Sequence, residues 1–336
     1  MPFKQGSTIP LPHSVYLEVT NRCNLKCRMC LRFRGMEEKP RDLSLKEIES
    51  IAGQLPGLKR AVLHGVGEPL LNGELMHIID YLKEREVHVL FNSNGHLLSQ
   101  KWGEQLVSSG LDELRVSLDA ATEATYALVR CSTHFSNVVK NIQALAQVRK
   151  ASHRSTPKLS AWIVAMRDNV EHLPEMIKLA ARVGIDEVYL QRLVYPIDGH
   201  GYGLATKENA VTSQSPQIAD ILRKSLSLSH RYGVPLMASG RVSPSESLSR
   251  KSRDTAPWRQ CRRPWELVYI TAWGNVLPCC ISPFSTMDYP SLILGNVFTQ
   301  PLEQIWQGKK YRAFRQMLQS RYPPRCCSGC GVEWSL

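Results

Sequence analysis

The 336-residue sequence has no run of about 18 uninterrupted apolar residues, so nothing in it reads as a membrane-spanning helix. Its start, MPFKQGSTIPLPHS, lacks the apolar stretch of a secretory signal, which makes a cytoplasmic location the expectation. No zinc-finger spacing and no aromatic RNA-binding signature is present, so the common nucleic-acid modules are excluded and nucleic acid is not expected as a partner. Acidic residues are in short supply: 30 Asp and Glu face 42 Lys and Arg, giving +12. Residues 240–336 carry a disproportionate share, with 13 basic against 6 acidic side chains. A basic face of this kind suits an acidic substrate or protein partner. What the chain does have is cysteine. Ten of them in a reducing compartment argue for metal or redox chemistry, because stable disulfides are uncommon there.

Along residues 15–191, short β-branched runs alternate with helical patterns. VYLEV (15–19), RAVLHG (60–65), VHVLFN (87–92), ELRVSLD (113–119), LSAWIVAM (159–166) and EVYLQ (187–191) read as strands, each but the last followed by a helix-like stretch, the first begun at Ser44. Six such units predict an α/β fold, a parallel sheet curled into a partial (β/α)6 barrel. After residue 195 the pattern lapses into glycine-rich, polar sequence; a helix is expected over 216–232 and a linker over 239–257. A cysteine-rich unit begins near Trp258. The expected division is therefore 1–200, a connecting region 201–257, and 258–336.

In parallel α/β folds the loops after the strands' C-terminal ends build the site. CNLKCRMC (23–30) follows the first strand, GVGEP (65–69) the second, NSNG (92–95) the third, and VSLDA ends the fourth. Three thiols at C-x3-C-x2-C spacing are one short of a closed tetrahedral site. They suit either a zinc knuckle completed from elsewhere or a [4Fe–4S] cluster held at three irons with the fourth left open.

This loop, with the segments behind it in order, resembles the radical S-adenosylmethionine (SAM) superfamily. The resemblance implies that Cys23, Cys27 and Cys30 hold the cluster, that SAM chelates the open iron, and that its reductive cleavage gives a 5′-deoxyadenosyl radical able to take hydrogen from an unactivated carbon. It implies SAM contacts from Gly65, Gly67, Glu68 and Pro69, from Asn94, Ser117, Asp119 and Gln191, and from Arg130 to the SAM carboxylate. Two positions depart from the family pattern. Met29 stands where an aromatic residue is frequent, and Cys131 follows Arg130 where glycine is usual.

The tail reads CRRPWELVYITAWGNVLPCC (261–280) and PPRCCSGC (323–330). It resembles the SPASM/twitch appendage of many radical SAM enzymes, a β-hairpin and a helix around auxiliary clusters. VYI and NVLP would form the hairpin about TAWG, and LEQIWQGKKYRAFRQML one helix. Cys261, Cys279, Cys327 and Cys330 fit one fully ligated [4Fe–4S] cluster, making two in all, while a structural zinc site uses the same four thiols. The leading expectation is an oxidoreductase acting on a small carbohydrate-like or secondary-metabolite substrate, with the auxiliary cluster removing an electron and an external donor such as flavodoxin or ferredoxin supplying one. The first strand begins by residue 15, which favours a small substrate or a peptide delivered by a separate protein. The alternatives are peptide or protein maturation, with Cys131 or Cys280 as hydrogen donor, and a metal-bound binder without catalysis.

Overall fold

The computed structural model describes residues 8–35, 38–238, 242–249, 256–328 and 330. Six strands fall where the alternating pattern places them: β1 (Ser14–Leu17), β2 (Arg60–Val62), β3 (His88–Ser93), β4 (Glu113–Ser117), β5 (Lys158–Ala165) and β6 (Glu187–Arg192). All six pair in parallel, each with its neighbour in sequence. Their alternation separates two faces. Val15 and Leu17 of β1 join the core beneath the outer helices, whereas Tyr16 points to the concave side with Val62 and Leu90.

The helices are bounded by local chemistry. Leu45–Gly53 starts at Ser44, whose hydroxyl accepts from the Glu47 amide while the Glu47 carboxylate accepts from the Ser44 amide at 2.9 Å. Such a reciprocal cap is worth about 1 kcal/mol. It turns Ile48, Ile51 and Ala52 into the outer core. The helix Leu173–Val183 ends at Gly184, in the left-handed region at φ 82°. The stretch before Lys150 is two helices, Glu123–Arg130 and Phe135–Ala151.

The sheet is longer than six strands. After the helix Pro216–Tyr232, which matches the expectation, β7 (Leu236–Ala238) adds in parallel to β6. Three residues behind Pro235 are too few to show a period. In the expected linker, Pro244–Leu248 forms a capped helix with Leu248 buried; residues 239–241 and 250–255 lie outside the described part.

The tail is continuous with the barrel. The expected hairpin forms from β8 (Leu267–Ile270) and β9 (Asn275–Leu277), followed by the short β10 (Gly295–Asn296). β8 pairs in parallel with β1 from Ser14↔Leu267 to Leu17↔Ile270, giving the order β10-β9-β8-β1-β2-β3-β4-β5-β6-β7. The expected single tail helix is two, Leu302–Trp306 and Lys309–Gln319. They part at Gly308, where a Cβ would stand 2.8 Å from the Gln304 carbonyl oxygen. Among the described residues no helix is long and apolar enough to cross a membrane.

Since Leu267, Tyr269 and Leu277 complete the concave core with Tyr16, Val62 and Leu90, barrel and tail should unfold together. Val268→Asp places an unpaired carboxylate in the outer core and should cost on the order of 3 kcal/mol or more. Calorimetry should show one transition moved to lower temperature. A tail that melts first while the barrel keeps its midpoint would contradict the single-sheet reading.

Candidate active site

A cavity of about 220 Å³ opens at the C-terminal ends of the parallel strands, and the thiols of Cys23, Cys27 and Cys30 line it. The cysteine loop is held from both sides. The Arg28 amide donates to the Val129 carbonyl at 3.0 Å, and the Arg28 carbonyl accepts from the Leu204 amide at 2.9 Å. Within the loop, the Cys30 amide donates to Cys27 and the Phe33 amide to Cys30, which starts the short helix Leu31–Arg34. Burial pushes all three thiols up, Cys30 to about 12, so their charged forms need a cationic partner. Arg130 supplies part of that at Cys27, its Nη1 standing 3.6 Å from Sγ. An iron–sulfur cluster would supply the rest and displace the protons. The donor set therefore fits.

GVGEP runs directly beneath this loop, which is why it needs glycine. A Cβ on Gly67 would sit 2.0 Å from the Thr20 carbonyl oxygen, and one on Gly65 would sit 2.2 Å from the Glu18 side chain. The Glu68 amide donates to the Arg22 carbonyl at 2.7 Å. Its carboxylate accepts from Ser93 Oγ at 2.9 Å and the Asn94 amide at 2.7 Å, and burial pushes its pKa up to about 7. Asn94 Nδ2 in turn donates to Asn24 at 2.8 Å and stands 3.8 Å from Cys23 Sγ. Pro69 is a correction to the sequence reading. It opens the short 3-10 helix Pro69–Leu71 and is buried there, away from the cavity lining.

At the end of β4, Asp119 is buried at φ 51°, a left-handed conformation rare for a non-glycine residue. Its carboxylate pairs with Arg130 and accepts from the Val164 amide at 2.6 Å, while Asn169 holds its carbonyl at 3.0 Å. Arg130 is thus shared between Asp119 and Cys27. Burial raises the Asp119 pKa against the opposing pull of Arg130. Ser117, Gln191, Met29, Gly65, Gly67, Glu68 and Asn94 line the same cavity.

The two hydrogen-donor candidates separate. Cys131 is exposed, at the left-handed C-cap of Glu123–Arg130 with φ 54°, and does not line the cavity. Glycine is favoured at such a cap, which is where this departure from the family pattern falls, and the Cys131 thiol also acts electrostatically on Cys27. Cys280, by contrast, lines the cavity, where Arg263 Nη1 approaches its Sγ at 3.5 Å.

Several lining residues were not anticipated. Trp162 and Val164 share a face of β5, a position that the two-residue period of LSAWIVAM could have revealed. Trp162 stacks on Tyr189 at 4.1 Å between centroids, with the Arg115 guanidinium over its ring at 4.3 Å. Leu193 and Val194 follow β6; Ile281 and Phe284 arrive from the tail and had no local signal. His64 also faces the cavity, and burial together with Arg115 lowers its pKa to about 4, keeping it neutral. The glycine-rich 198–203 stretch leads into Leu204, which packs with Tyr202 against Leu31 and Val66 and so backs the cysteine loop.

A second, smaller cavity is lined by Cys261, Cys279, Cys327 and Cys330, the four expected auxiliary ligands, and also by Cys326, whose Sγ lies 3.8 Å from that of Cys327. Burial pushes Cys261 and Cys279 upward. Arg263, half-buried beside these thiols, supplies positive charge. Neighbours Cys279 and Cys280 face different cavities, and Ile281 borders both. Among the described residues no three or more His, Cys, Asp or Glu side chains converge as a single metal ion requires; the thiols border cavities instead.

Comparison with known proteins agrees with this geometry. The family model for the radical SAM superfamily matches residues 17–180, and that for the SPASM iron–sulfur cluster-binding domain matches residues 261–331. Relatives include the tungsten-containing aldehyde ferredoxin oxidoreductase cofactor-modifying protein of Pyrococcus furiosus, 24% identical over 93% of this chain and 85% of its own. Others are the mycofactocin maturase MftC of Mycobacterium ulcerans, 26% identical over 98% and 82%, and the PqqA peptide cyclase of Gluconobacter oxydans, 25% identical over 97% and 86%. Among solved structures, Streptococcus suis SuiB bound to S-adenosylmethionine superposes with a TM-score of 0.71 over 91% of this chain and 68% of that one, at 16% identity, a likeness of fold. The chain belongs to the radical SAM superfamily, carries a C-terminal SPASM domain, and takes [4Fe–4S] clusters and S-adenosylmethionine as its cofactors.

Proposed function

We propose that this radical SAM enzyme is a peptide maturase, in which a side chain of a precursor peptide enters the main cavity and is modified there. Cluster and SAM together supply hydrogen abstraction from an unactivated carbon. In this reading Cys23, Cys27 and Cys30 hold the radical-generating cluster. Glu68, Asn94, Ser117, Gln191 and the glycine backbone at Gly65 and Gly67 receive SAM beside Met29, and the Asp119–Arg130 pair fixes the wall next to Cys27. Cys261, Cys279, Cys327 and Cys330 hold an auxiliary cluster as the electron outlet, and an external one-electron donor of the flavodoxin or ferredoxin type feeds the first cluster. Residues 1–200 form the catalytic barrel and 258–336 the auxiliary unit.

The observation that carries the substrate class is the wall opposite the polar loops. Trp162, Val164, Leu193, Val194, Ile281 and Phe284 give the cavity an apolar side. An amino-acid side chain gains by burial against that side, where the hydroxyls of a carbohydrate-like ring would lose water. The curated relatives named as a mycofactocin maturase and a PqqA peptide cyclase favour the same reading over the small polar substrate. Cys280 faces this substrate space from the tail and is the residue placed to meet a substrate radical.

Anaerobically reconstituted protein should hold about eight irons and eight sulfides. Gly67→Ala, which forces a Cβ onto the Thr20 carbonyl, should reduce this to about four by displacing the cysteine loop. Wild-type protein that persistently holds four irons and one zinc would defeat the auxiliary-cluster reading.

With dithionite and SAM, a short peptide encoded beside the gene should stimulate 5′-deoxyadenosine formation and change mass in step with it. Phe284→Asp should raise the KM for that peptide roughly tenfold, by removing apolar wall. Stimulation by an aminocyclitol and by no peptide would overturn the proposal.

A further inference from the structure

Glu18 is the first residue beyond β1, five positions before the first cysteine, and is almost wholly buried. A buried carboxylate needs donors, and its donors come from two distant parts of the chain. Oε2 accepts the Val66 amide of GVGEP at 2.8 Å and the Tyr269 hydroxyl of β8 at 3.0 Å. Oε1 accepts the Ala272 amide, in the turn between β8 and β9, at 3.2 Å. Gly65 has no room for a side chain because the Glu18 carboxylate occupies that space. Burial pushes the pKa of Glu18 up to about 7, and the three donors oppose that shift.

A second carboxylate reinforces the junction. Glu38 accepts from the Tyr289 hydroxyl and the Asn275 amide group, both at 2.7 Å, so the loop that follows the cysteines is tied to the same hairpin. Glu18, Glu38, Tyr269 and Tyr289 line one small cavity between barrel and tail, together with Val66, Leu31, Leu277 and Pro283.

We propose that Glu18 is a positioning residue through which the C-terminal unit sets the conformation of the SAM-binding loop. Its carboxylate clamps Val66 and the β8–β9 turn at once, so an order change in the hairpin reaches GVGEP without any contact between hairpin and SAM. The inference concerns SAM and the tail, and holds whichever substrate the enzyme modifies.

Glu18→Gln keeps the side chain's size but offers only one acceptor oxygen, leaving either the Val66 or the Ala272 amide facing an NH2 group. Amide hydrogen exchange on reconstituted protein, without SAM or reductant, gives a readout independent of turnover. The variant should lose protection both around Val66 and in the 271–273 turn while the outer helices keep theirs. On reconstituted protein, equilibrium dialysis should show SAM binding weakened about tenfold at unchanged iron content. Loss of protection in the turn alone, with SAM affinity within twofold of wild type, would overturn the proposal, since a structural role in docking the tail predicts that pattern. Should Glu18→Gln fail to fold, Tyr269→Phe carries the test. It removes one donor from the hairpin side and should raise exchange at Val66 and weaken SAM binding about threefold. Exchange and affinity unchanged in Tyr269→Phe would overturn it equally.

Discussion

The parallel pairing of β8 with β1 is the constraint on which the rest depends. It joins residues some 250 positions apart in the chain, and by continuing the sheet it places the tail's cysteines against the concave face of the barrel. A tail tethered only by a linker could sample many orientations. One hydrogen-bonded to β1 in register cannot, because slipping by one residue would exchange Val268 and Ile270 in the outer core with Tyr269 on the inner face. The distance between the two thiol sets is thereby set by sheet geometry.

Both thiol sets also share an electrostatic problem. Each consists of buried or half-buried cysteines whose ionised forms the loss of water disfavours, and each has one arginine nearby: Arg130 beside Cys27, and Arg263 beside Cys279 and Cys280. One guanidinium cannot compensate three or four thiolates. The remaining charge has to come from bound iron, so folding of the loops and loading of the clusters are linked. Arg130 is itself anchored by Asp119, and the left-handed backbone of Asp119 is held by bonds to Val164 and Asn169. Local strain there is sustained by a neighbourhood that leaves it no alternative.

At the junction, one step of the chain does two jobs. Cys279 faces the auxiliary cavity, Cys280 the main one, and Ile281 separates them. This alternation after β9 brings the two cavities side by side, with Ile281 in the wall of each.

Much of this was legible in the sequence. CNLKCRMC, GVGEP and VSLDA stood out by residue type and spacing, and all three line the main cavity; the six strands and the helix over 216–232 were readable from periodicity and caps. What escaped was short or distant. β7 has three residues, too few for a period, and the tail helix breaks at Gly308, whose extended backbone (φ −68°, ψ 162°) caps the second segment. Cys131 stands at a left-handed helix cap, and Phe284 and Ile281 carried no local mark of a wall they complete from across the fold. The sequence by itself determined which residues can bind metal, since that depends on ligand type and on spacing within a few residues. Only the tertiary structure decided which thiol faces which cavity and how the tail reaches Val66 through Glu18, since those depend on a strand pairing between the chain's two ends.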